Sequence, residues 1–209
     1  MSYTYEHEIT VEKSPAYLRN ANPKLVYKTN PNTKLILIIR NPVKRAISQF
    51  SHYVYTKNIS FDPNNYDNVS KFFDDQVLVN GAVSLHWWIS SGAYVIQLKN
   101  WLKYFPMKQF LFLNGENFIK NPFEEVKKVE KFLNLRPFIT KEHFYYNSKK
   151  GFFCIYKNLE KKIRRCMGSS KGRRHPFVSQ STVNKLYKYF YPYNFELFKM
   201  LNQTPFWEI

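Results

Sequence analysis

The chain has 209 residues, 44% of them apolar and 19% aromatic, with 16 Tyr and 19 Phe, which suits one well-cored domain. Its 32 basic residues outnumber 15 acidic ones, and a formal charge of +17 draws polyanions: nucleic acid, an anionic membrane surface, or a sulfated or carboxylated polysaccharide. Part of the excess is solvated lysine on helix faces, as in KKVEK at 127–131. No run approaches the roughly 20 apolar residues that span a bilayer. Residues 1–20 are polar, with Glu6, Glu8 and Glu12, and do not read as a signal peptide.

In chain order, EITVEK at 8–13 alternates like a strand that Ser14-Pro15 ends. Leu35 to Ile39 read as a fully buried strand. Asn41 and Pro42 then supply an N-cap and first turn for a helix over 42–57, with Val43, Ala46, Ile47, Phe50 and Val54 on one face. Residues 58–68 read as a loop and 69–79 as a short helix. A long helix is expected over 86–104, burying Trp88, Tyr94, Leu98, Trp101 and Leu102. A third strand covers 109–113 and leads into an Asn114-Gly115 turn. Asn121-Pro122 with Glu124 and Glu125 starts a helix whose buried face is Val126, Val129, Phe132 and Leu133. Periodicity fades from 140 to 176, and a last helix follows over about 179–190. Strands alternating with helices favour a parallel sheet in a single α/β domain, for which three strands are few.

The richest segment is KLILIIRNPVKRAIS at 34–48. Strand, Arg40, N-cap and helix in that order build an anion site beyond the carboxyl end of a strand, against backbone N–H groups. Ser48, two turns into the helix, can share the anion. A plain strand-to-helix turn with a surface Arg explains the same residues. Lys171-Gly172-Arg173-Arg174 is a second anion candidate: Gly172 permits close backbone approach, and Arg173 offers a bidentate fork. Lys13, at a strand end, can meet an anion or simply solvent. His86-Trp87-Trp88 offers ring surface for sugars or bases. Cys154 and Cys166 lie in a basic region where His143 and His175 do not give zinc-ligand spacing. A disulfide, worth up to about 3 kcal/mol, and two thiols are both open on spacing alone. No HExxH or GxSxG occurs, so neither a metal centre nor a Ser/His/Asp triad is indicated.

VEKSPAY at 11–17, LILIIRNPVKRAISQF at 35–50, NWLKYFP at 100–106, KGFFC at 150–154, Cys166 and SKGRRHP at 170–176 occur in that order. As a set they resemble the heparan sulfate glucosamine 3-O-sulfotransferases, from about residue 9 to Trp207. The resemblance implies a P-loop-NTPase-like sulfotransferase fold with a central parallel sheet. It implies 3′-phosphoadenosine 5′-phosphosulfate as donor and a heparan sulfate glucosamine 3-hydroxyl as acceptor, with no metal and no nucleic-acid partner. Arg40 and Ser48 match positions that hold the donor's 3′-phosphate. Phe153 and the loop Ser170, Lys171, Gly172, Arg173 and Arg174 match further donor contacts. Lys13, Ser14, Pro15 and Ala16 match a substrate-contacting turn, as do His86 and Trp87. Cys154 and Cys166 match a disulfide. The relatives are Golgi-lumen enzymes with an N-terminal membrane anchor, and a monomer is expected.

Two departures stand out. The family opens with a Gly-rich phosphate loop followed by a general-base Glu, whereas the first glycine here is Gly81. The expectation is an N-terminally truncated domain whose base lies upstream of Met1, and which is inactive or nearly so by itself. His52 stands where relatives often carry a Gln facing the sugar chain. A non-catalytic heparin or polyanion binder derived from such an enzyme is the alternative, and a cytosolic small-molecule sulfotransferase a more distant one. Asn58, Asn68 and Asn202 lie in Asn-X-Ser/Thr sites.

Overall fold

A computed structural model of the protein describes residues 8–57, 59, 66–168, 175 and 177–209. Two short helices come first, α1 (Tyr17–Asn20) and α2 (Pro23–Thr29), the second capped by the Asn22 side chain and begun by Pro23. Strand β1 (Leu35–Ile39) feeds helix α3 (Pro42–Thr56), and α4 (Tyr66–Val77) follows. The β2 (Leu78–Val79) and β3 (Ala82–Val83) hairpin leads to α5 (Trp87–Ser90) and α6 (Tyr94–Trp101). Strand β4 (Phe110–Asn114), α7 (Gly115–Lys120) and α8 (Pro122–Leu133) come next. Strands β5 (Phe144–Asn147), β6 (Phe152–Asn158) and β7 (Ile163–Arg165) precede the long α9 (Gln180–Leu201).

β1 and β4 pair in parallel, Leu35 beside Phe110 through Ile39 beside Asn114. Residues 8–13, expected as a strand, form none, and Ile9 and Val11 are exposed. An alternating segment becomes a strand only beside a partner, and the one described ladder of β1 runs to β4. For the same reason β1 is not fully buried. Leu35, Leu37 and Ile39 turn into the core, while Ile36 and Ile38 are 40% and 58% exposed on the other face.

Two aromatic-rich clusters make the core. One gathers Ile39, Tyr94, Leu98, Trp101, Phe105, Phe112 and Trp207. The other gathers Val43, Ala46, Phe50, Phe73, Val77, Trp88 and Ile89. Helix α9 belongs to both, giving Leu197 and Phe198 to the first and Leu186 and Phe190 to the second. That double anchorage explains why α9 runs through Pro192 instead of stopping near residue 190. The lost backbone bond and ring clash, about 3 kcal/mol, are outweighed by burial of four large side chains, each worth about 1.5–3 kcal/mol.

The helix expected over 86–104 is broken between Ser90 and Tyr94. Gly92 sits at the break, where a Cβ would fall 2.8 Å from the Pro42 Cβ and 3.0 Å from the Phe190 ring. The Asn114-Gly115 pair is a helix start and not a turn, since Asn114 Oδ1 accepts from the N–H groups of Glu116 and Asn117. On α8 the expected apolar face is only half-buried, and Glu125 is the fully buried side chain. Its carboxylate accepts from Asn114 N–H, Asn117 Nδ2 and Lys128 Nζ at 3.0, 2.7 and 2.7 Å. The acid thus ties α8 to the carboxyl end of β4.

The region without periodicity holds an antiparallel sheet in the order β5, β6, β7. Cys154 on β6 and Cys166 just beyond β7 form a disulfide. Among the described residues no helix is long and apolar enough to cross a membrane.

Candidate functional site

Two open pockets of about 570 and 660 Å³ meet at Arg40. Helix α3 is the wall between them. Residues four apart share a helix face, so Arg45 and Gln49 line the first pocket while Ser48, Ser51 and His52 line the second. The sequence segment singled out above therefore serves both cavities.

Arg40 is fixed from several sides. Its Nε lies 3.3 Å from Glu116 Oε1, with both side chains partly exposed, and Tyr94 Oη donates to its carbonyl at 3.1 Å. Burial pushes the Tyr94 hydroxyl above its ordinary pKa and keeps it a donor. The approach of α7 to β1 depends on Gly115, where a Cβ would lie 2.9 Å from the Ile39 carbonyl oxygen and 3.0 Å from the Arg40 Cβ. Ahead of α3, the buried Asn41 accepts from Val43 N–H and Lys44 N–H at 3.0 and 3.1 Å and donates to Tyr187 Oη at 3.3 Å. This corrects one expectation: those N–H groups are occupied by the cap. The side chains of Arg40 and Ser48 line the second pocket beside this turn.

The second pocket joins Arg40 and Ser48 to Phe152, Phe153 and Gly151 of the β5–β7 sheet, with Lys150, Met167 and His175 at its border. Desolvation, and then the charge of Arg40, hold the His175 imidazole below its ordinary pKa. Lys150 Nζ donates to the Met167 carbonyl, and the disulfide fastens the preceding residue to β6. The expected donor contacts Arg40, Ser48 and Phe153 are thus brought together. Ser170, Lys171, Gly172, Arg173 and Arg174 lie outside the described residues, as does Asn58. Asn68 is exposed on α4 and Asn202 is the left-handed cap of α9.

The first pocket collects Lys13, Ser14, Pro15 and Ala16 with Trp87, along the open face of β1. His86 does not line it. Its Nδ1 caps α5 by accepting from Trp88 N–H at 3.4 Å, and its ring meets Trp88 edge-on at 4.7 Å. Partial burial lowers its pKa. Sequence reasoning did not single out Arg45, Arg19, Gln97 or Glu116. Arg45 donates to the Trp88 carbonyl, and Arg19 lies 5.5 Å over the Trp87 ring. The available signal was helical phase: Arg45 is adjacent to Ala46 and four residues before Gln49, on a face that the apolar pattern leaves out.

The family that fits this arrangement is the sulfotransferase domain, which matches residues 4–204, and the chain belongs to it. Curated relatives narrow the likeness. Heparan sulfate glucosamine 3-O-sulfotransferase 6 of Mus musculus is 37% identical over 210 residues, covering 100% of this chain and 59% of that protein. Heparan sulfate glucosamine 3-O-sulfotransferase 5 of Homo sapiens is 34% identical over 219 residues, covering 99% of this chain and 59% of that protein. The chain therefore spans less than two thirds of these relatives. The crystal structure of a sulfotransferase from Alicyclobacillus acidocaldarius superposes with a TM-score of 0.56 at 18% identity, over 91% of this chain and 64% of that one, which is a likeness of fold.

Proposed function

We propose that this chain is the donor- and acceptor-holding part of a heparan sulfate glucosamine 3-O-sulfotransferase, working in the Golgi lumen. The donor is 3′-phosphoadenosine 5′-phosphosulfate, and the second pocket takes its nucleotide end. Arg40 and Ser48 clasp the 3′-phosphate, the backbone around Phe153 supports the nucleoside, and the 170–174 loop adds charge. One observation carries the reading. Arg40 and Ser48 on one strand-to-helix segment and Phe153 on the distant β6, all assigned to the donor by resemblance, line a single cavity.

In the reaction the glucosamine 3-hydroxyl oxygen attacks sulfur. The S–O bond to the 5′-phosphate breaks, and adenosine 3′,5′-bisphosphate leaves with the electron pair. The hydroxyl proton passes to a general base, a role we assign to no residue between Met1 and Ile209. Lys13, exposed at the mouth of the first pocket, stabilises charge on the transferring group or holds an acceptor sulfate. The net charge of +17 gathers the polyanionic acceptor and makes its capture salt-dependent.

The test is calorimetric titration with adenosine 3′,5′-bisphosphate. Saturable binding that Arg40→Ala weakens is the expected result. Heparin retention without any nucleotide binding would instead support the non-catalytic polyanion binder.

A further inference from the structure

The second pocket carries titratable groups beyond Arg40 and Ser48. Among the described residues its lining has no Asp or Glu, and it has two imidazoles, His52 and His175, together with Lys150. The permanent cations of this lining are already engaged. Lys150 Nζ donates to the Met167 carbonyl. Arg40 commits its Nε–H to Glu116, 3.3 Å away on α7. That ion pair leaves the four terminal N–H groups of the guanidinium for other partners, but its formal charge is zero. A phosphate monoester near neutral pH carries a charge of about −1.5 to −2. One guanidinium matched by a carboxylate does not balance it.

His175 is the group placed to supply the missing charge. Its imidazole lines the cavity, is reached by solvent, and lies within the fields of both Arg40 and Glu116. In the free protein desolvation, and then the charge of Arg40, hold it below its ordinary pKa against the opposing pull of Glu116, so at neutral pH it is an uncharged ring. The other titratable groups of the cavity are His52 on α3 and Lys150 in the turn before β6, and its sequence neighbours Lys171, Arg173 and Arg174 are basic as well. A phosphate arriving beside Arg40 reverses this balance. It offsets the repulsion from the guanidinium, brings negative charge to the imidazole, and offers an oxygen to accept from its N–H. All three effects favour the protonated ring. Arg40 cannot respond in this way because a guanidinium stays charged, and the Ser48 hydroxyl adds no charge.

We propose that His175 is a further ligand of the donor's 3′-phosphate, donating to it as an imidazolium, so that the nucleotide is captured together with one proton from solvent. This rests on the reading of the second pocket as the donor site, and it adds to that site a residue and a pH dependence. The proton moves from water to a ring nitrogen, and no bond of the phosphate forms or breaks. Capture is strongest where the free ring already holds its proton. It weakens as pH rises through the free and then the bound pKa, and it levels off above the second.

The experiment is calorimetric titration of the 209-residue protein with adenosine 3′,5′-bisphosphate at pH 7 in two buffers of different ionisation enthalpy, which counts the protons taken up, and then from pH 6 to pH 8.5 for affinity. Variants are His175→Gln, His175→Lys and His52→Gln, each checked for a wild-type melting profile. The ligand's own second ionisation, near pH 6, is common to all of them. Against His175→Gln, the wild type is expected to take up at least about half a proton more per nucleotide. Its affinity advantage over that variant is expected to be about tenfold at pH 6 and to vanish by pH 8.5, as for a ring whose pKa rises by about one unit on binding. His175→Lys, a permanent cation, is expected to restore the affinity without the extra proton. Proton NMR of the wild type reads the same event directly: the imidazole resonances absent from His175→Gln are expected to titrate at higher pH once nucleotide is added. Proton uptake and pH profile unchanged in His175→Gln overturn the inference, as does uptake that only His52→Gln abolishes. In both cases nucleotide binding that Arg40→Ala still weakens leaves the donor reading standing. A wild type that binds no nucleotide at all overturns the donor reading and this inference with it.

Discussion

The two pockets that share Arg40 are built in opposite ways. The second is assembled from distant segments, and covalent and charged fastenings hold its far wall. The disulfide joins β6 to residue 166, and Lys150 reaches the Met167 carbonyl. The first is bounded by one open strand face, by the segment 13–19 that leads into and through most of α1, and by two buried polar atoms lacking partners. A nucleotide end has fixed dimensions and suits a braced cavity. On the proposed reading a polysaccharide presents varied sulfation, and a cationic trough accepts that variety. On the proposed reading, the difference places the cross-linked wall on the donor side of α3 and the open strand face on the acceptor side.

That contrast can be broken most forcefully at the disulfide. Cys154→Ser with Cys166→Ser is expected to lower stability by up to about 3 kcal/mol, read by chemical denaturation, and to weaken bisphosphate binding more than binding of a sulfated heparin tetrasaccharide. Equal losses at both pockets would show that the brace is global and not local. Glu125→Ala is expected to cost about 3 kcal/mol, because three donors lose a buried acceptor; denaturant midpoints check it. Next comes Arg40→Ala, which removes a charge-assisted contact worth about 1.5–3 kcal/mol and should weaken bisphosphate binding roughly ten- to a hundredfold. Ser48→Ala removes a neutral hydroxyl worth about 1 kcal/mol and should weaken it roughly fivefold. The first pocket should scarcely notice that change.

The smallest expected effect depends on pH. His86 caps α5 with an unprotonated Nδ1, and partial burial depresses its folded pKa. The cap's contribution is present above the unfolded value of about 6.5 and is lost as pH falls through the lower folded value. Wild-type stability should therefore drop slightly more than that of His86→Asn between neutral pH and pH 5, an effect that solvent screening of a largely exposed ring keeps small. Asn caps without titrating. Matching pH profiles for the two proteins would remove His86 from the account of how Trp87 is held.

Much of the donor side was legible in the sequence because its signals are local. Five apolar residues, Arg40, an Asn-Pro cap and an amphipathic helix specify their own order, and β1 and α3 form where they were read, with β1 buried on one face only. The β5–β7 sheet was not legible. β5 and β6 open on adjacent aromatics, Phe144-Tyr145-Tyr146 and Phe152-Phe153, and β7 has only three residues, so period-two alternation is hidden, and the cross-link beside it was supplied by resemblance and not by spacing. The break at Gly92 was equally silent, since it answers to Pro42 and Phe190, fifty and ninety-eight positions away. Glu125 reads as an N-terminal acid of α8 and is also a buried clasp, a role that only the neighbouring β4 end reveals. The unmet hydrogen bonds of Arg45 Nε and Gln97 Oε1 are a matter of three dimensions, and nothing in their sequence neighbourhood announces them.

Helix α9 follows every other described element in the chain, yet both aromatic clusters need its side chains to close. During synthesis the earlier segments therefore emerge with Phe50, Phe73, Trp88 and Trp101 still wet, and they wait on the ribosome for their last wall. Folding of this domain is bound to be late and concerted, and a nascent chain halted before Leu186 is sticky cargo for chaperones.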